Sequence, residues 1–320
     1  MQDCHKRNID YLRVSLTNRC NLRCQYCMPK EGIKELENLL STKDLIHLVK
    51  LICSTGIRKV RLTGGEPLLY PEIDSLIESI QKIPSVEKIV MTTNGILLQE
   101  KAPLLAQYGL NGINLSLDCM NKALFSEITR GGDINRVFNG IRTALHYGIK
   151  IKLNSVIMKG INEQEVIPLI EFAKQYKIDL RFIELMPINV ARNFKAVDED
   201  LLKALIEENY GSLIPVDSNE GPAHYFKCDN LSIKIGFISA LSHKFCSNCN
   251  RMRLTSTGLL KPCLHNKQGI DLQYFLKNNV TDEELLTIIK EGIYNKPQKH
   301  HLEDNSFAQR EDKSMSMIGG

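Results

Sequence analysis

The chain has 320 residues, of which 43% are hydrophobic, and carries 41 Lys and Arg against 37 Asp and Glu. That length suits one large α/β domain with a smaller appendage and a sizeable buried core. The positive excess is too small to argue for a nucleic-acid partner, and no run of eighteen apolar residues suggests a membrane span.

The opening residues MQDCHKRNID lack the apolar core of a signal peptide, so a cytoplasmic location is expected. In that compartment the ten cysteines read as metal ligands before disulfides. Six fall in two motifs. Cys4, Cys53, Cys119 and Cys228 are left over and read as small buried or surface thiols.

In chain order, strand-like runs at residues 12–16, 59–63, 88–93, 112–117, 150–157 and 180–184 alternate with helical periodicity. The helical segments are 42–54, 71–81, 97–107, 134–147 and 163–176, with Ser41 and Asn162 as capping residues and Gly56, Gly109 and Gly148 as stops. Six β/α units predict a parallel sheet curved into a partial (β/α)6 TIM-type barrel, with its chemistry at the C-terminal strand ends. After about residue 187 the grammar changes to a helix at 198–209 and short strand-like runs around Ile214, Tyr225, Ile233 and Leu254. This predicts a barrel over residues 1–190 and a small second layer over 191–320. A last helix is expected near 282–292, and the polar tail ending MSMIGG reads as disordered by composition.

The first motif follows the first strand: Cys20, Cys24 and Cys27 in RCNLRCQYCMP. Three thiolates at this spacing can hold three irons of a [4Fe-4S] cubane and leave the fourth open for chemistry. A structural zinc site normally takes four ligands in two short pairs, and no fourth Cys or His follows closely. The second motif gives Cys246, Cys249 and Cys263 in FCSNCNRMRLTSTGLLKPC. It allows a second open cubane, or a zinc completed by His243 or His265. Within it Arg251 and Arg253 share one face of an extended run.

After the second strand, Gly64, Gly65, Glu66 and Pro67 form a turn whose glycines let the backbone approach a neighbour closely. Thr92, Thr93 and Asn94, and Ser116 and Asp118, place short polar side chains at strand ends, where they could equally cap the next helices. Arg13, Lys59, Arg61, Lys152 and Arg181 lie on strands. Taken together they suggest a polyanionic substrate, since unpaired buried charge is costly and Arg suits phosphate.

The Cys-x3-Cys-x2-Cys loop with Tyr26, followed by the GGEP element, resembles the signature of the radical S-adenosylmethionine (SAM) superfamily. With the second cysteine motif, the NRMR stretch and the terminal Gly319 and Gly320, essentially the whole chain resembles the GTP 3′,8-cyclases of molybdenum cofactor biosynthesis. The resemblance implies a lyase with two [4Fe-4S] clusters that uses SAM to form a 5′-deoxyadenosyl radical. The radical takes hydrogen from C3′ of GTP, and C3′ adds to guanine C8. The product is (8S)-3′,8-cyclo-7,8-dihydroguanosine 5′-triphosphate.

By matching positions, the resemblance assigns Tyr26, Gly64, Gly65, Glu66, Ser116 and Met186 to SAM. It assigns Arg13, Arg61, Thr92, Lys152, Arg251 and Arg253 to GTP, whose guanine edge would ligate the second cluster. Cys20, Cys24, Cys27, Arg13, Gly319 and Gly320 are implied at the reaction centre, the tail carboxylate pairing with Arg13 or its neighbours. An external electron donor, a downstream cyclic pyranopterin synthase and a homodimer are implied as partners, with no nucleic acid and no membrane. The rival readings are a radical SAM peptide maturase, which would be indifferent to GTP, and a non-catalytic metal-binding regulator.

Overall fold

A computed structural model describes residues 1–217, 221–300 and 311–319. The first half alternates strands and helices in the expected order: β1 (Tyr11–Ser15), α1 (Thr42–Ser54), β2 (Lys59–Thr63), α2 (Ile73–Gln81), β3 (Lys88–Thr93), α3 (Leu98–Gln107), β4 (Gly112–Ser116), α4 (Lys122–Thr129), α5 (Ile134–His146), β5 (Lys150–Val156), α6 (Val166–Tyr176) and β6 (Asp179–Ile183). The second half adds α7 (Glu199–Tyr210), β7 (Ile214–Val216), β8 (His224–Lys227), β9 (Ile235–Ile238), β10 (Arg251–Leu254), β11 (Leu259–Lys261), β12 (Ile270–Asp271), α8 (Leu272–Lys277), α9 (Asp282–Tyr294) and α10 (Met315–Ile318).

Local chemistry explains the boundaries. Ser41 accepts from the Asp44 amide at the start of α1, Asp133 from the Asn135 amide at α5, and Thr281 and Glu284 form a reciprocal capping box at α9. Gly56, Gly109 and Gly148 each follow a helix with positive φ, the left-handed stop that glycine adopts without strain.

Among the described residues the strands form one sheet in the order β12-β11-β10-β1-β2-β3-β4-β5-β6-β9-β8-β7. From β10 through β6 to β9 every pairing is parallel. The fold is thus a partial TIM-type barrel whose parallel run is lengthened by one C-terminal strand at each edge.

The residues after 187 do more than pack on the barrel, where Leu202 and Ile206 of α7 and Leu285 and Ile289 of α9 join its core; they also extend its sheet. β9 pairs with β6 and β10 with β1, which covers backbone edges that six strands alone would leave open. One continuous core unites both halves, from Leu12, Val60 and Leu153 to Ile235, Met252 and Ile289.

The described tail is also ordered, against the compositional expectation. Glu311 makes an ion pair with Lys261 in which both side chains are almost wholly buried, and α10 buries Ile318 against Ile188 and Leu264. Composition counts the polar residues here but not the partners that long-range contact supplies.

Candidate functional site

The site is built first by register. Across the parallel strands β10, β1 and β2, Arg253, Arg13 and Arg61 stand side by side in one row, and Arg251, Tyr11 and Lys59 in the row before it. Side chains two apart on a strand share a face, so both rows project together. Like charges in adjacent positions repel, and the arrangement is favourable only where an anion or another acceptor offsets them.

These side chains open into a cavity of about 330 Å³, within the range of small-molecule sites. It is lined by Arg13, Lys59, Arg61, Arg181, Arg251 and Arg253, and among the described residues Glu184 is the only side-chain carboxylate that lines it. Glu184 is already engaged, accepting from the Leu241 and Ser242 amides.

Burial sharpens the electrostatics. The guanidinium of Arg13 is driven well below its ordinary pKa by desolvation and then by the neighbouring Arg253. Desolvation also lowers Arg253, with Arg251 adding to it, to about 10. Arg181 is 5% exposed, and its Nε and Nη2 find no hydrogen-bond partner among the described residues. Buried donors without acceptors are costly, and the oxygens of a phosphate would satisfy them.

Tyr11 was not singled out by its sequence, although it lies two residues before Arg13 on the same strand face. Burial pushes its phenol up, but Arg61, Arg13 and Lys59 outweigh this and bring it down to about 8. Its hydroxyl accepts from Arg61 Nε, while Arg61 Nη1 donates to Thr92 Oγ1 at 3.1 Å. Thr92 and Tyr11 therefore aim Arg61 into the cavity.

Both cysteine trios face this same cavity: Cys20, Cys24 and Cys27 from the loop after β1, and Cys246, Cys249 and Cys263 from the opposite side. Desolvation pushes the Cys20 thiol up to about 11 and Cys27 to about 12, and Cys24 is raised further by burial and its neighbours. Such groups become thiolates when a metal replaces the proton. Among the described residues no three Cys, His, Asp or Glu groups converge closely enough for a single metal ion. His243 points elsewhere, its Nδ1 3.4 Å from Glu199 Oε2, whereas His265 lines the cavity beside Cys263.

Gly64 and Gly65 line the cavity, yet their lack of side chains serves another part of the chain. A Cβ on Gly65 would lie 2.2 Å from the Arg19 carbonyl oxygen, and one on Gly64 would lie 2.5 Å from that of Thr17. The Gly65 and Glu66 amides donate to those carbonyls at 2.7 and 2.8 Å. The GGE turn thus grips the base of the cysteine loop.

Glu66 stands behind the cavity wall rather than in it. Its carboxylate accepts from the Leu68 amide, Thr93 Oγ1 and the Asn94 amide at 2.7–3.0 Å. Tyr26, Ser116 and Met186 line the cavity, and Tyr26 donates to Asp118 at 2.7 Å.

Lys152 lies one step deeper on β5, on the side of Asn154, its Nζ 5.2 Å from the centre of the Tyr225 ring. Gly319 reaches the arginine row, its carbonyl accepting from Arg253 at 2.6 Å. Gly320 lies outside the described residues. Of the four leftover cysteines, Cys53, Cys119 and Cys228 are buried and Cys4 is exposed.

A partial barrel that presents three loop cysteines and a glycine turn after its first two strands has the architecture of radical SAM proteins, and residues 14–173 match the Radical SAM superfamily. Residues 178–302 match Molybdenum Cofactor Synthesis C. The fold is shared with Streptococcus suis SuiB bound to S-adenosylmethionine, at a TM-score of 0.62 and 19% identity over 91% of this chain and 67% of that one.

The particular family follows from nearer relatives. The GTP 3′,8-cyclase of Clostridium botulinum strain Hall is 46% identical over 324 residues, and that of Clostridium perfringens strain SM101 is 45% identical over 325, each covering 100% of both chains. The GTP 3′,8-cyclase of Pelotomaculum thermopropionicum is 39% identical over 328 residues, again end to end. The chain belongs to the GTP 3′,8-cyclase family.

Proposed function

We propose that this chain is a lyase that cyclises GTP to (8S)-3′,8-cyclo-7,8-dihydroguanosine 5′-triphosphate, an early step of molybdenum cofactor biosynthesis. The observation that carries the reading is the meeting, in one cavity, of both cysteine trios with six strand-borne cations. A triphosphate is the kind of ligand that such a cation field requires, and Arg can take its oxygens two at a time.

In this reading Cys20, Cys24 and Cys27 hold a [4Fe-4S] cluster, and Tyr26, Gly64, Gly65, Ser116 and Met186 form the SAM pocket. Cys246, Cys249 and Cys263 hold a second [4Fe-4S] cluster. When bound, SAM and the N-terminal cluster would supply a 5′-deoxyadenosyl radical to take the C3′ hydrogen, and the adduct of C3′ on guanine C8 would take one electron and one proton to give the dihydro product.

The chain's own contribution is position and field. Arg13, Arg61, Arg251 and Arg253 fix the triphosphate in register, with Lys59, Lys152 and Arg181 completing the field. That restricts the ribose to one place beside the SAM pocket, converting an encounter into an oriented reaction. Glu66 and Thr93 keep the wall of that pocket rigid. Met315 and Ser316 close the cavity from the tail, and Gly319 reaches the arginine row through Arg253. The working system also takes an external one-electron donor, a homodimeric state and a downstream cyclic pyranopterin synthase.

The test is anaerobic. Protein reconstituted with iron and sulfide is given SAM, dithionite and GTP, and the products are separated by mass spectrometry. 5′-Deoxyadenosine together with a cyclised nucleotide is the expected result. Deoxyadenosine formed while GTP stays intact would overturn the substrate and point to the peptide maturase instead.

A further inference from the structure

The two cysteine trios lie in surroundings of opposite sign. Around the N-terminal trio the buried charges are acidic: Asp118 acts on Cys24 and Cys27, and Glu66 on Cys20, where the half-buried Arg23 opposes it. Around the C-terminal trio they are basic. Arg251 Nη2 lies 3.8 Å from Cys249 Sγ. Lys296, 2% exposed, donates its Nζ to the carbonyl of Pro262, the residue before Cys263.

A third cation fixes the remaining loop. Arg7 donates to the carbonyls of Cys246 and Gln298 at 2.9 and 3.0 Å, and to those of Lys296 and Pro297 at 3.1 and 2.8 Å. Its charge is matched by Asp3, which accepts from Nε at 2.6 Å. Among the described residues no carboxylate is paired with Lys296 in that way: the anions acting on it are Cys249 and Cys263, and Arg7 and Arg251 oppose it. A buried ammonium costs several kcal/mol unless negative charge faces it, and thiolates bound to a cluster supply that charge.

We propose that Lys296 is a positioning and tuning residue for the C-terminal cluster, its buried ammonium raising that cluster's reduction potential while its hydrogen bond fixes the strand end that carries Cys263. This rests on the reading that Cys246, Cys249 and Cys263 hold a [4Fe-4S] cluster. Reduction adds one electron to a group that is already negative once its thiolates are counted. A nearby fixed positive charge in a dry site therefore favours the reduced form. The cation beside the N-terminal loop is Arg130, which donates to the Arg23 and Met28 carbonyls at 2.9 and 3.0 Å but is exposed, so water screens its charge and the effect of a buried ammonium falls on the C-terminal cluster.

The experiment uses full-length, anaerobically reconstituted protein and compares wild type with Lys296→Gln, Lys296→Met and Lys296→Arg. Iron is counted, and each cluster is titrated by EPR-monitored reduction. The N-terminal signal is identified by its response to added SAM. The Gln variant keeps a donor for the Pro262 carbonyl without the charge, and the Arg variant keeps the charge.

The expected result is a C-terminal midpoint moved to more negative potential in the Gln and Met variants, little moved in the Arg variant, with the N-terminal midpoint unchanged in all. An unmoved C-terminal midpoint with about eight irons bound overturns the tuning role alone. Loss of about half the iron in both neutral variants also overturns it, because the ammonium would then be a clamp. Wild-type protein that binds only about four irons defeats the two-cluster reading itself, and this proposal with it.

Discussion

Alanine at position 65 adds a single methyl group where the chain has no room. The new Cβ would stand 2.2 Å from the Arg19 carbonyl oxygen, 2.7 Å from its carbon and 2.8 Å from the Asn18 oxygen. All three are backbone atoms, so no side chain can rotate away. Relief requires the turn and the cysteine loop to separate, which breaks the amide contacts of Gly65 to Thr17 and of Glu66 to Arg19. Overpacking costs about 1–3 kcal/mol and each lost hydrogen bond about 1 kcal/mol, for a total of roughly 3–5 kcal/mol. At about 2 °C per kcal/mol for a chain of this size, Gly65→Ala should lower the melting temperature of the apo protein by on the order of 6–10 °C. Because the strain falls on the loop that carries Cys20, reconstituted iron should also fall. Unchanged melting and unchanged iron in this variant would refute the close-approach reasoning.

Other perturbations follow from the same contacts. Arg181→Met removes a buried charge with two unsatisfied donors, so it should leave the apo protein as stable or more so, yet weaken GTP binding about 10–100-fold. Calorimetry on the anaerobic protein reads both, and unaltered GTP affinity would remove Arg181 from the site. Lys261→Met strands the Glu311 carboxylate in a dry environment, an imbalance of about 3–5 kcal/mol that undocking of the tail relieves. Limited proteolysis should then cut near residue 311, and wild-type resistance would show that the ion pair does not hold the tail.

Glu66 supplies a pH dependence. Burial raises its pKa from 4.5 to about 7, against hydrogen bonds from Asn94, Thr93 and Leu68 that lower it. An acid with a raised folded pKa contributes its stability below the unfolded value and loses it as pH climbs through the folded one. Apo-protein stability from this group should therefore decline from about pH 4.5 to 7. Glu66→Gln should flatten that part of a melting-temperature profile, and an unchanged slope would assign it elsewhere.

The legible parts of the sequence were those governed by short-range pattern. The cysteine spacings, the βα alternation and the helix stops are all encoded within a few residues, and most predicted elements match the observed ones to within one or two positions. α4 went unread because its eight residues follow closely on the Asp118 turn and precede α5 with little separation. What the pattern could not convey is which distant segments become neighbours. Arg251 and Arg253 share a face in sequence, but only the pairing of β10 with β1 puts them in line with Tyr11 and Arg13. Glu66 reads as a ligand by position in its motif, and its three protein donors emerge only when β3 is placed beside it. The tail misleads for the same reason, since Lys261 and Arg253, which hold it, lie 50 and 66 residues away.

The central claim is that this cavity holds GTP with its ribose C3′ facing the radical formed from SAM. GTP deuterated at C3′, supplied to the anaerobic reconstituted protein with unlabelled SAM and dithionite, tests it directly. The account predicts deuterium in the 5′-deoxyadenosine and none left on C3′ of the cyclised product. 5′-Deoxyadenosine free of deuterium, formed alongside a cyclised nucleotide, would contradict it.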